Sequence, residues 1–324
     1  MQILPLIQKS SSILIVCHIR PDGDTLGSGL AFVHLAQALK KQVDIVTESA
    51  IPPQYSFLPC IDRVNNPLAK KYDLVIVVDC ADAERMGRYK GYAKTHLSVN
   101  IDHHQTNDYF AKHNIVVPTA SSTCEVVFDI FKNEEIFSDK LNLDKGTIKN
   151  IATCLMTGLS TDTGHFMHSS VNYKVMNTAA NLTELGADVH YIANCIYRSD
   201  SKTRQLMLAK VLSTMRFFDD DKICVMTMML DDFKSINASP LETEGFINYP
   251  LSIKTTQVAV TVIQYNQNTY KVSFRSKGID VAKIAGIFDG GGHIRAAGCT
   301  VHGFYEDVVD KVIKSIRDFM EVEN

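Results

Sequence analysis

The eight cysteines, at positions 17, 60, 80, 124, 154, 195, 224 and 299, include no Cys-x-x-Cys pair, and most lie inside apolar runs such as ILIVC and DKICVM. Small buried hydrophobes of a reduced cytosolic protein account for them, and a chain this large needs no disulfide scaffold. Long apolar runs are also missing. The segment 1–16 holds only a short one, without a basic flank, and leads directly into a motif around His18. Neither a signal peptide nor a membrane span is expected, which places the protein in the cytoplasm. No charge of one sign dominates: 33 basic and 36 acidic residues leave a formal net charge of -3. That balance excludes a strongly basic, nucleic-acid-coating surface but leaves room for a local basic patch. Repeats and low-complexity tracts are absent too. What remains is an ordinary globular composition, 45% hydrophobic and 21% charged, over 324 residues, more than one hydrophobic core usually spans.

The segments 13–17 (ILIVC), 43–47 (VDIVT), 73–79 (DLVIVVD) and 97–101 (LSVNI) are short, β-branched and apolar on both faces, the pattern of strands in a sheet covered on both sides. Between them, Leu26, Leu30, Val33, Ala36 and Leu39 form one apolar helix stripe within 25–41. This alternation predicts an α/β fold, with a mainly parallel, helix-flanked sheet in the N-terminal domain. From about Ser121 to Phe217 the period is helical, punctuated by Gly164, Gly186 and Ser199-Asp200, with Asp188 as an N-cap. After Asp219-Asp220-Asp221, which reads as a solvated turn, come the strand-like runs KICVMTMML, VAVTVIQY and TYKVSFRS. The last two flank Asn266-Gln267-Asn268 as a hairpin, and helices are expected near 280–287 and 305–321. We therefore expect domains at 1–187 and 220–324, the second smaller and α+β, joined by a helical linker over 188–219 and facing each other across a cleft.

Four acidic or His-bearing segments fall at strand ends or helix starts: His18-Ile19-Arg20-Pro21-Asp22-Gly23-Asp24, Asp79, Asp102-His103-His104, and Asp162 within TGLSTDTGHF. Imidazoles and carboxylates are the usual ligands of a hydrolytic divalent-metal centre, and strand ends are where an open α/β sheet places its ligand crevice. Each segment has a plainer alternative. Asp-Gly-Asp also suits a surface turn, Asp79 could cap a helix entered at Ala81-Asp82-Ala83-Glu84, and Asp162 could hydrogen-bond a turn. Their company favours the metal, as does the expense of an unpaired carboxylate after five apolar residues. Gly27-Ser28-Gly29 would let a phosphate approach the following helix. His165 and His168 are expected to line the cleft or the surface, His34 to be a satisfied helix residue, and His96 and His113 to lie in loops.

With Gly290-Gly291-Gly292-His293 and Ala296-Ala297-Gly298 at the C-terminal end, these segments together resemble the DHH phosphoesterase family over nearly the whole chain. That family includes RecJ exonucleases, manganese pyrophosphatases, cyclic-di-AMP phosphodiesterases and the nano-RNase/pAp-phosphatase group, the last being the nearest match. The resemblance implies a DHH catalytic domain over 1–187 and a DHH-associated substrate-binding domain over 220–324. It implies His18 and Asp22 as ligands of one Mn²⁺, Asp24, His103 and Asp162 as ligands of a second, and Asp79 as a bridge. Two cations about 3.5–4 Å apart stabilise both the attacking and the leaving oxygen of a phosphoryl transfer. Ligands without thiolates suit Mn²⁺ better than Zn²⁺, with Mg²⁺ or Co²⁺ as substitutes. Asp102 then orients, and His104 donates to phosphoryl oxygens.

For the substrate end, Arg275 offers a guanidinium to a terminal phosphate, while Lys277 reads as a rim charge. Gly291, Gly292 and His293 belong to a phosphate- and base-binding loop, with a plain glycine-rich turn as the alternative. Glu242–Asn248 resembles a segment of the nano-RNase group in which Phe246 either faces a nucleobase or packs inward; Ser121-Ser122-Thr123 reads as an N-cap cluster. The resemblance implies hydrolysis of short single-stranded RNA to mononucleotides and of 3′-phosphoadenosine 5′-phosphate to AMP. A pApA or cyclic-di-AMP phosphodiesterase is the alternative, followed by a pyrophosphatase and a non-catalytic nucleotide-binding module. No obligate protein partner is evident, and a homodimer is compatible with the sequence.

Overall fold

A computed structural model describes residues 2–66 and 71–322. The chain divides into two compact units, Met1–Ser199 and Asp200–Asn324, the division falling within the segment 188–219. In the first unit, strands β1 (Ser12–Val16), β2 (Gln42–Val46), β3 (Leu74–Val78), β4 (Ser98–Asp102) and β5 (His113–Val116) form a parallel sheet in the order β2-β1-β3-β4-β5. Four of these lie within one residue of the expected segments, because both their faces are covered. Ile13, Ile15, Ile76 and Val78 enter one buried cluster, while Leu14, Val16, Val75 and Val77 enter another with Met86, Tyr89 and Ala93. The fifth strand is a departure: His113, expected in a loop, opens the half-exposed edge strand.

The helices of this unit are α1 (Leu4–Lys9), α2 (Gly23–Ala38), α3 (Gly91–Thr95), α4 (Thr123–Asn133), α5 (Lys145–Asp162), α6 (Tyr173–Glu184) and α7 (Val189–Tyr197). α2 differs from the single-stripe expectation, being buried from Gly23 to Ala36 with α4 and α5 packed on it. Gly27 and Gly29 are part of that packing. A Cβ on Gly27 would lie 2.3 Å from the Cys154 carbonyl oxygen, and one on Gly29 2.9 Å from Cys17 Sγ. These glycines therefore serve close approach within the core, and the expected approach of a phosphate to them is corrected.

The second unit holds α8 (Lys202–Leu212), α9 (Leu230–Ile236), α10 (Asn248–Leu251), α11 (Val281–Gly286) and α12 (Tyr305–Val322). Its strands are β6 (Arg216–Phe218), β7 (Ile223–Met228), β8 (Val258–Asn266), β9 (Thr269–Ser276), β10 (Gly291–His293) and β11 (Ala296–His302). They form a mixed sheet in the order β10-β11-β9-β8-β7-β6, in which only β7 and β8 pair in parallel. The β8–β9 hairpin is where the sequence puts it. α12 lays Val308, Val309, Val312, Ile313 and Ile316 into the core with Val258, Val272 and Phe274. Asp219, Asp220 and Asp221 all take left-handed backbone in an exposed turn, and Asp219 is tied to Arg317 at 2.9 Å. Among the described residues, no helix is long and apolar enough to cross a membrane.

Candidate metal centre

In the sheet order β2-β1-β3-β4-β5 the chain leaves β1 for one side and returns to β3 on the other, so a crevice opens beyond the carboxyl ends of β1 and β3. His18 follows β1, Asp79 follows β3, and Asp102-His103-His104 ends β4. Asp22 and Asp24 sit at the start of α2, and Asp162 is the last residue of α5. Potential ligand atoms gather in three overlapping groups, each within 4.8 Å: His18, Asp22 and Asp79; Asp24, His103 and Asp162; Asp79, His103 and His104. The groups hold seven of the eight N-terminal positions singled out from sequence, and the eighth, Asp102, lies 2.7 Å from His104 Nδ1.

Asp79 stands between the first two groups. Its Oδ2 lies 3.2 Å from His18 Nε2 and its Oδ1 3.7 Å from His103 Nε2. Its backbone is left-handed, φ 59°, at a cost of about 1–2 kcal/mol for an L-residue. Thr123 Oγ1 donates to it at 3.0 Å. Burial alone would raise the Asp79 carboxyl, but the adjacent His18 imidazole and those of His104 and His103 hold it below the usual range.

Asp24 is fully buried, and its two oxygens accept from the amides of Thr123 (2.6 Å) and Cys124 (2.8 Å) at the start of α4. In the metal-free chain, burial and then the charges of Asp162 and Asp79 push its carboxyl well up. Asp162 behaves alike, raised to about 6 by burial and nearby carboxylates against the His103 hydrogen bond. His103 is within 3.2 Å of Asp162; burial lowers it, but the surrounding carboxylates prevail and carry it to about 10.

His18 tests the fit of a cation. Its Nδ1 lies 2.7 Å from the Ile19 carbonyl, so that nitrogen is the donor. Its buried Nε2 has no hydrogen-bond partner and faces carboxylate oxygens of Asp79 and Asp22 at 3.2 and 3.6 Å. A neutral imidazole would aim its lone pair at two anions; the site is satisfied by a proton, which the carboxylates hold up to about 10 against burial, or by a metal ion. The four carboxylates and three imidazoles of these groups have the charge and the donor types that two divalent cations require. The residues fit the group.

His104 is turned differently from its neighbour. Its Nδ1 is 2.7 Å from Asp102 Oδ1, which commits that nitrogen and leaves Nε2 as the outward atom of a half-exposed ring. Asp102 is buried, and Asn107 Nδ2 donates to its other oxygen at 2.6 Å. Burial raises Asp102, but His104 and Asn107 together keep it below the usual carboxylate range. Neither Asn107 nor the two α4 amides is marked by any metal-ligand pattern in sequence. Ser122 is indeed the N-cap of α4, accepting from Glu125 N, so Ser121-Ser122-Thr123 combines the cap with contacts to Asp24 and Asp79.

In the second unit, Arg275 is half-buried in β9, and its Nη1 donates to the Phe274 carbonyl at 3.0 Å. Burial pulls its guanidinium below the usual value, and among the described residues it has no ion-pair partner. Gly290 and Gly292 permit a tight β10–β11 hairpin, since a Cβ on either would lie 2.4 Å from a backbone oxygen; Gly291 faces open space. The His293 side chain lies outside the described part of the structure. Lys277 Nζ donates to the Ile253 carbonyl at 2.7 Å. Phe246 is fully buried with the Arg204 guanidinium 4.7 Å over its ring, which removes it from contact with a base.

His34 is a satisfied helix residue, its Nε2 3.3 Å from the Pro59 carbonyl. His165 and His168 stay outside the ligand groups.

Residues 12–159 match the N-terminal domain of the DHH family, and residues 193–322 match the DHHA1 domain. The chain is 29% identical over 310 residues to the bifunctional oligoribonuclease and PAP phosphatase NrnA of Thermus thermophilus, covering 94% of this chain and 89% of that one. It is 24% identical over 319 residues to the protein of the same name from Bacillus subtilis, covering 97% and 96%. The crystal structure of an exopolyphosphatase-related protein from Bacteroides fragilis superposes with a TM-score of 0.88 at 26% identity, covering 98% of this chain and 95% of that one.

Proposed function

Because the chain belongs to the DHH family and carries a DHHA1 domain, we propose that it is a Mn²⁺-dependent phosphoesterase that degrades short single-stranded RNA to mononucleotides and converts 3′-phosphoadenosine 5′-phosphate to AMP. The buried Nε2 of His18, lacking a partner and facing two carboxylates, carries the metal-dependent part. The names of the NrnA relatives from T. thermophilus and B. subtilis support the two substrates.

His18, Asp22 and Asp79 would hold one ion, and Asp24, His103, Asp162 and Asp79 the other. When bound, such a pair supplies Lewis acidity toward phosphoryl oxygens and lowers the pKa of water; Mg²⁺ or Co²⁺ would substitute for Mn²⁺. The chain supplies the positioning. Thr123 fixes the Asp79 carboxylate, and the α4 amides fix Asp24. Asp102 accepts from His104 Nδ1, which leaves Nε2 to face a phosphoryl oxygen. Arg275, without an ion-pair partner among the described residues and partly desolvated, is suited to a terminal phosphate, and Gly291, Gly292 and His293 belong to the same role.

Hydrolysis with Mn²⁺ of 3′-phosphoadenosine 5′-phosphate, a five-nucleotide RNA, pApA and pyrophosphate tests this. AMP from the first and mononucleotides from the second are expected. Turnover of pApA alone would replace the proposal by a dinucleotide phosphodiesterase, and no turnover of any would sink it.

A further inference from the structure

A groove of about 650 Å³ opens on the first unit beside the metal centre, its walls including His165, Met167, His190, Asn194, Tyr197 and Arg198. None of its lining residues enters the ligand groups. Ser160 joins it to the centre: the residue is buried in the last turn of α5, the turn that ends in Asp162. The Ser160 carbonyl accepts from the His165 amide at 2.7 Å and from the Tyr197 hydroxyl at 3.2 Å, and its own hydroxyl lies 3.1 Å from His165 Nδ1. Burial, and then the Asp162 charge, pushes up the Tyr197 hydroxyl. Both rings are therefore anchored to the element that carries a ligand, 5.2 Å apart and inclined by 47°.

Gly164, His165 and Phe166 take left-handed backbone in succession, with φ of 56°, 56° and 65°. The turn that presents His165 is thus a specified conformation. The Tyr197 ring is 44% exposed, and Met167 beside the pair is 82% exposed. Exposed apolar surface beside a charged centre calls for an occupant with a flat apolar face. Asn194 Nδ2 and His190 Nε2, hydrogen-bonded to each other at 2.8 Å, form a polar part of the groove wall. Arg198 adds a cation, and none of the described lining residues is a carboxylate.

We propose that this groove is the nucleobase subsite of the enzyme, stacking the base of the nucleotide whose phosphate is attacked at the adjacent centre, with His165 and Tyr197 as the stacking residues. The proposal rests on the phosphoesterase reading above. Stacking tolerates any base, so the groove distinguishes nucleotides from baseless phosphates more than one base from another.

The test compares adenosine 3′,5′-bisphosphate with ribose 3′,5′-bisphosphate, which lacks the base, using Mn²⁺ and the full chain. Wild type should prefer the base-bearing substrate in kcat/KM by about tenfold to a hundredfold, the range of one stacked base. In Tyr197→Ala and His165→Ala that ratio should fall toward one, chiefly through KM, while Tyr197→Phe keeps it. An unaltered ratio in both alanine variants, or no preference in wild type, overturns the subsite. Fluorescence of 2-aminopurine riboside 5′-monophosphate separates the two readings if neither bisphosphate is hydrolysed. Quenching by wild type that Tyr197→Ala and His165→Ala abolish supports the groove and leaves only the phosphoesterase reading to fail; absence of quenching overturns the groove.

Discussion

Asp79 joins the two ligand groups and pays for its position with a left-handed backbone, so its substitution separates charge from conformation. Asn tolerates that backbone region nearly as well as Asp. Asp79→Asn should therefore keep the fold, read by circular dichroism and thermal unfolding, while turnover of 3′-phosphoadenosine 5′-phosphate is abolished. Near-normal activity would remove Asp79 from the centre. Arg275 belongs to a different step. For Arg275→Ala we expect KM to rise, with a smaller loss of kcat, if the residue anchors a terminal phosphate as proposed; an unchanged KM would make it structural. Most of these residues are visible in sequence because chemistry needs ionisable side chains in polar contexts that break an apolar strand. Asn107 and the amides of Thr123 and Cys124 are not. Asn107 is an ordinary loop residue until the fold sets it against Asp102, and the amides act through backbone atoms about a hundred positions from Asp24.

Elements explain why the site has this shape. α4 meets Asp24 with its N-terminus, where unpaired amides and the helix dipole stabilise an anion. Ser122 caps that terminus, and Glu125 binds the amide and hydroxyl of Ser121, with Lys174 of α6 3.1 Å from Glu125. Ser122→Ala should lower stability by about 1 kcal/mol in denaturant unfolding and weaken Mn²⁺ binding in calorimetry. Unchanged Mn²⁺ affinity would show that the cap does not hold the amides on Asp24. Strands β1, β3 and β4 are legible from composition because burial on both faces leaves a nearly continuous apolar run. β5 is not, since its HNIV segment is a half-exposed edge with two polar residues. The same limit applies to α2. A helix buried on every side has no polar face from which to read its surroundings, and Gly27 and Gly29 look as suited to a ligand as to packing.

At the scale of the whole molecule, the two units divide what the sequence could and could not specify. The first collects four carboxylates and three imidazoles at the end of a parallel sheet, an arrangement that would serve any phosphoryl substrate. Its legibility comes from the regularity of the α/β pattern, which makes the carboxyl ends of the strands predictable. The second unit offers Arg275 and a glycine hairpin, and these depend on cross-strand contacts that no period in the sequence encodes. Both units rest on the claim that the clustered acids hold divalent cations for phosphate ester hydrolysis. Initial rates of phosphate release from 3′-phosphoadenosine 5′-phosphate, measured as Mn²⁺ is titrated into chelator-stripped chain, test that claim most directly. The account predicts no release without metal and a rate that rises until two Mn²⁺ are bound per chain. Full activity in the stripped chain, or none at saturating Mn²⁺ with the fold intact, would contradict it.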